Sequence, residues 1–171
     1  MFVWLPLKDR LSTRNLLKRP NMSLPSYNCV CCSLIVEEDL AHLFITCSFA
    51  QKCWASIGMM VTQDNPWSTF ISLKQQLSVP FFMEIIIIMN WCIWMQRNDL
   101  IFRGLQIHPL DCKMHFKHEF ALVIHRAKAR YKDAMSQWLE AFVVIFFIFF
   151  VSFFVSWFRY VKHCPFIIVY N

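Results

Sequence analysis

Glycine is almost missing from this chain: there are two in 171 residues. Beside 57% hydrophobic residues and a mean hydropathy of +0.42, that scarcity sets the chain apart from an ordinary soluble domain. Disulfide-scaffold density is also lacking, because eight cysteines are too few for this length and no cleavable secretory signal precedes them. A working carboxylate pair is lacking too. Glu37 and Glu38 are adjacent, and adjacent residues on a helix point apart. What is plentiful is aromatic and positive: 18 Phe, 7 Trp and a net charge of +6, with a pI near 9.0. Such a balance suits an anionic partner, nucleic acid or a lipid surface, without choosing between them. The length predicts one domain plus appendages.

The cysteines are not scattered evenly. Residues 29–47 read CVCCSLIVEEDLAHLFITC, and four of them have metal-ligand spacing: Cys29 and Cys32 as C-x2-C, then His42 and Cys47 as H-x4-C. Zn2+ takes four soft or borderline ligands tetrahedrally, and Cys3His is a standard set. His42 and Cys47 stand about one and a half helical turns apart, so both face the knuckle only where the chain kinks between them. The competing reading is a group of buried free cysteines, and Cys31 and Cys53 show that not every cysteine nearby can be a ligand. The metal reading predicts four ligand atoms within about 4 Å of one another. Metal binding here is folding free energy, since little else holds the segment. Four protein ligands leave no open position for water, and no general base stands beside them, which sets a hydrolytic enzyme aside.

The flanks carry a resemblance. Upstream stands FVWLPLKDRLSTRNLLKR, downstream HLFITCSFAQKCW, and further on WCIWMQRNDLIFRG. With the knuckle between them, these resemble the zinc-binding domain near the C-terminus of reverse transcriptases encoded by plant LINE-type retrotransposons. Trp4, Arg10, Leu11, Thr13, Arg14, Leu16, Leu17, Cys29, Cys32, Glu38, His42, Leu43, Phe44, Cys47 and Trp54 match that pattern, and the second block matches its W-x2-W-x2-R-N-x3-F segment. The likeness covers about the first 105 residues. It implies a structural Zn2+ on Cys29, Cys32, His42 and Cys47. It departs from the family pattern: the family usually has an extra residue, often Asp, between the positions of Arg14 and Asn15, and carries a polymerase upstream of where this chain starts. Polymerase-type metal-binding aspartates and an endonuclease are absent, so the expectation is a non-enzyme, a C-terminal fragment without the polymerase.

Coarse structure follows from pattern. Residues 2–19 read as two short helices, the second capped by Ser12 or Thr13 and stopped by Pro20. Lys8, Arg10, Arg14, Lys18 and Arg19 there form a candidate phosphate-contact patch, with a solvated amphipathic face as the plainer alternative. Residues 39–54 read as helical, 61–69 as a loop, 68–78 as a short helix and 81–102 as a long buried helix too interrupted to span a bilayer. Residues 109–140 read as one basic amphipathic helix. Cys112, His115 and His118 lie along it in a line that reaches a single metal poorly, so surface histidines are the default. The fold expectation is mainly α, a small zinc-knuckle helical domain followed by long helices and an apolar C-terminal helix. Little sheet is expected beyond a short hairpin at the knuckle, and the core joins Trp4, Leu11, Leu17, Phe44, Trp54, Trp91 and Trp94.

Residues 142–158, FVVIFFIFFVSFFVSWF, carry no charge. As a helix they would be about 25 Å long, just under a typical hydrocarbon core. Read-through of a T-rich noncoding tract would give a similar stretch. The expected division is a zinc-binding domain at 1–60, a helical extension at 61–140, a candidate transmembrane helix at 141–160 and a tail at 161–171. The expected function is a retroelement-derived zinc module, accessory to nucleic-acid binding, with an RNA or DNA backbone as partner and no small-molecule substrate. The alternative is a membrane-anchored orphan or interaction protein. Location follows the tail: membrane if it inserts, otherwise nuclear or cytoplasmic.

Overall fold

The computed structural model describes residues 11–18, 23–61 and 65–141, and these are mainly helical. Sheet among them is limited to one antiparallel bridge, Asn28 with Glu37. Around it the Cys29 N–H donates to Val36 O at 2.8 Å and the Glu38 N–H to Tyr27 O at 3.0 Å. The knuckle is thus a short hairpin, the one place where the sequence reading allows sheet. Residues 40–46 then wind as a helical segment, of which His42–Thr46 is a π-helix.

Five α-helices follow among the described residues. α1 is Ser48–Ser56, α2 Pro66–Leu77, α3 Phe82–Arg103, α4 Pro109–Arg126, and α5 covers residues 129–141. α2 begins earlier than the pattern suggested. The Asn65 side chain accepts from the Trp67 and Ser68 N–H groups, and Pro66 sits at the first position, where its missing N–H costs nothing. α3 buries Ile85, Ile88, Met89, Cys92, Ile93 and Arg97, a single face at helical spacing, and ends at Gly104, whose φ of 64° suits glycine.

Two expectations fail locally. The second N-terminal helix shrinks to one 3-10 turn, Leu16–Lys18. Thr13 does not cap it through its side chain: the hydroxyl lies 2.7 Å from Asn15 Oδ1, while the Arg14 and Asn15 N–H groups donate to Glu38. Tertiary bonds have taken the donors a helix would use. The single helix expected over 109–140 is two, because Ala127 is extended at φ −68°, ψ 155°. An unbroken helix of that length would run about 48 Å, past the end of the core. The break brings Trp138 back onto Phe81, Phe116 and Phe120, with ring centroids 6.2, 6.2 and 5.1 Å away. Aromatic pairs at such distances add to area burial.

One buried cluster runs from Leu11 through Met135, so the knuckle and the long helices share a core. α4 lies against both α1 and α3. Of the core expected from sequence, Leu11, Phe44 and Trp54 are buried, Trp91 and Trp94 are half-buried against the cluster, Leu17 is half-buried, and Trp4 lies outside the described residues. The Trp54 indole donates to Phe44 O at 3.0 Å. Between the π-helix, α2 and α3 lies an apolar cavity of about 570 Å³, walled by Phe44, Ile45, Trp67, Phe70 and Met83. Among the described residues, no helix is long and apolar enough to cross a membrane; residues 142–158 lie outside them.

The knuckle is fastened to α3 by an ion pair. Arg97 Nη2 lies 2.6 Å from Glu38 Oε1, and its Nε 3.4 Å from Oε2, with both side chains almost wholly buried. Arg97 also donates to Asn98 Oδ1 and Ser12 O, and its guanidinium lies 4.8 Å from the Trp94 ring centre. Removing one partner of such a pair strands a buried charge. Glu38→Gln or Arg97→Met should therefore cost about 3–5 kcal/mol in urea unfolding. The double variant should recover part of that loss, whereas additive losses would mean the two groups act separately.

Candidate metal centre

Cys29, Cys32, His42 and Cys47 converge, and their four ligand atoms all lie within 4.8 Å of one another. The closest pairs are tighter: Cys29 Sγ to Cys47 Sγ is 3.9 Å and Cys32 Sγ to His42 Nε2 is 3.4 Å. Tetrahedral coordination with Zn–S bonds of about 2.3 Å separates sulfurs by about 3.8 Å, so the set fits zinc. The widest separation exceeds the expected limit of about 4 Å; the closest contacts do not.

The π-helix is what makes H-x4-C work. On an α-helix five residues turn through about 500°, which leaves His42 and Cys47 about 140° apart. Here the Cys47 N–H donates to His42 O at 2.7 Å, a π-type bond five residues back. Cys47 then takes an extended conformation, φ −63° and ψ 130°, as the residue preceding α1. The helix is over-wide for one turn and then interrupted, and both side chains reach the knuckle.

Outer contacts hold the ligands. His42 Nδ1 is 3.0 Å from Thr46 Oγ1, which leaves Nε2 for the metal. Asp39 Oδ1 accepts the His42 N–H at 2.6 Å and so fixes the start of the turn. Arg14 Nη1 donates to Ser26 O and Asn28 O at 3.1 and 3.2 Å, stapling the strand that carries Cys29. Thr46 and Asp39 were missed in sequence; their offsets from His42, four after and three before, were the only signal.

The thiols crowd one another. The Cys29 pKa is pushed up to about 12, chiefly by its hydrogen bond with Cys31 and by burial. Cys47 is raised by its hydrogen bond with Cys29 and then by burial, and Cys32 by burial. A divalent cation supplies the charge that would let these sulfurs ionise together. Cys31 is half-buried beside the set without joining it, and Cys53 packs in the core.

The other sequence candidates fall elsewhere. Lys18 is exposed, 2.6 Å from Glu37 Oε2 and 4.8 Å from the Tyr27 ring centre. Lys8, Arg10 and Arg19 lie outside the described residues. Cys112 is buried against Met89, and His115 lies 3.4 Å from Glu119, so the C-x2-H-x2-H line does not converge. Among the described residues the Cys3His set is the one cluster with metal-binding geometry.

Fold and site together define a small, mainly helical protein with a Cys3His set able to hold a metal ion. Residues 1–54, about a third of the chain, match the family described as zinc-binding in reverse transcriptase. The matched stretch contains all four ligands. No curated protein and no solved structure matches the chain.

Purified protein should carry one Zn2+ per chain, and His42→Ala or Cys47→Ser should abolish its retention, as read by elemental analysis. Thr46→Val should weaken zinc about 10–100-fold while leaving the ligands in place. Zinc affinity should rise with pH through neutrality. With pKa values above ordinary, the three thiols are protonated there, and each must lose a proton on binding. Competition titrations at several pH values measure this; a flat profile would contradict thiolate ligation.

Proposed function

We propose that this chain is a retroelement-derived zinc module, of the kind carried by plant LINE-type reverse transcriptases, acting as a non-catalytic accessory that holds nucleic acid. The observation that carries the reading is the convergence of Cys29, Cys32, His42 and Cys47 inside the segment similar to reverse-transcriptase zinc-binding domains. A tetrahedral set with four protein ligands is closed to substrate, so zinc serves structure. The net charge of +6 supports a polyanionic partner. Binding would be weak, backbone-directed and tolerant of sequence, and Lys8, Arg10, Arg14, Lys18 and Arg19 are one candidate contact set.

The test is fluorescence anisotropy of labelled single-stranded RNA with the zinc-loaded full chain in neutral detergent. Binding at low salt should weaken as salt rises, with log K falling linearly against log salt concentration. Absence of binding at low salt would overturn the reading.

A further inference from the structure

Resting on that reading, we infer that the corner between α4 and α5, formed by Arg126, Lys128, Arg130 and Lys132, is the principal surface for the nucleic-acid backbone. Of the N-terminal basic residues, the two that are described are engaged within the fold. Arg14 spends its Nη1 on two knuckle carbonyls, and Lys18 is paired with Glu37. The α4–α5 corner is different. The stretch HRAKARYK, residues 125–132, contains four Lys and Arg and no carboxylate. Arg126, Lys128 and Arg130 are exposed, and none makes an ion pair among the described residues.

The helix break sets the positions of these side chains. On one unbroken helix, positions 126 and 130 would face nearly opposite to 128 and 132, and the charge would be divided between two sides. Here Ala127 turns the chain, and the Lys132 Nζ folds back to the His125 carbonyl at 3.0 Å. The Arg130 guanidinium lies 4.6 Å from the Tyr131 ring centre, and Tyr131 packs against the core. An arginine held on an aromatic face keeps its charge and its planar donor fork, which suits phosphate oxygens. Asp133 is the nearest acidic residue in sequence, one position past the cluster. The occupant proposed is a chain of phosphates, because arginine's planar donor fork matches phosphate oxygens and successive backbone phosphates can engage several cations at once.

The experiment compares two neutralised forms of the zinc-loaded full chain on labelled single-stranded RNA across a salt series. One carries Arg126→Gln, Lys128→Gln and Arg130→Gln; the other carries Lys8→Gln, Lys18→Gln and Arg19→Gln. The corner variant should bind about tenfold or more weakly at moderate salt, with a log–log salt slope shallower by about 2, three phosphate contacts at about 0.7 each. The single change Lys128→Gln, at an exposed side chain, should alone reduce the slope by about 0.7. Helical circular dichroism and zinc content matching wild type establish that both forms are folded. An unchanged slope in the corner variant, with the N-terminal variant carrying the loss, overturns the corner and leaves nucleic-acid binding standing. Absence of wild-type binding overturns both. Retained RNA binding with lost binding to phosphatidylcholine–phosphatidylserine vesicles would assign the corner to lipid and also overturn it.

Discussion

Glu38 holds this structure together. Its carboxylate is buried and meets Arg97 from α3, while the Arg14 N–H donates to the same oxygen that Arg97 Nη2 approaches. Its backbone meets Tyr27 and Asn15. One residue therefore joins the N-terminal segment, the knuckle hairpin and the long helix. A carboxylate with several donors is satisfied where a lone buried charge would be expelled. The knuckle sits in a fixed place on the helical body because this contact has one geometry.

The metal centre depends on that placement and on a local departure from regular helix. A sequence rich in helix-forming residues would wind straight from Leu40 to Ser56, and His42 and Cys47 would diverge. The π-type bond to His42 O and the extended Cys47 interrupt that course. Such a turn is a poorer helix than its α alternative, so something must favour it. Coordination of a metal would, since the energy gained by four ligands is available only in the interrupted form. Trp54, anchored through its indole to Phe44 O, locks the two helical pieces against each other after the break.

The basic charge divides by role in the same way. Arg14 is consumed in bracing carbonyls at the knuckle, where its loss would act through stability. Arg97 neutralises Glu38 in the interior. Arg126, Lys128 and Arg130 stand exposed where two helices meet, and the meeting places Trp138 edge-on to Phe81 and Phe116 and tilted against Phe120.

The sequence by itself determined the helical class, the four-residue ligand set, the knuckle hairpin and the existence of helices near 66–77, 82–103 and 109–126. Each is a local matter: ligand spacing within nineteen positions, apolar residues at a period of 3.6, and Gly104 as a stop. Tertiary structure decided what depends on partners distant in the chain. Thr13 lost its capping role because Glu38, 25 positions on, takes the neighbouring N–H groups. The helix over 109–140 broke at Ala127, with neither glycine nor proline to announce it, because the ring of Trp138 is better buried against Phe120 than carried past the end of the core. Arg97 is an unremarked polar residue at the end of a helix until Glu38 is brought to it across 59 positions, and then its side chain becomes part of the interior.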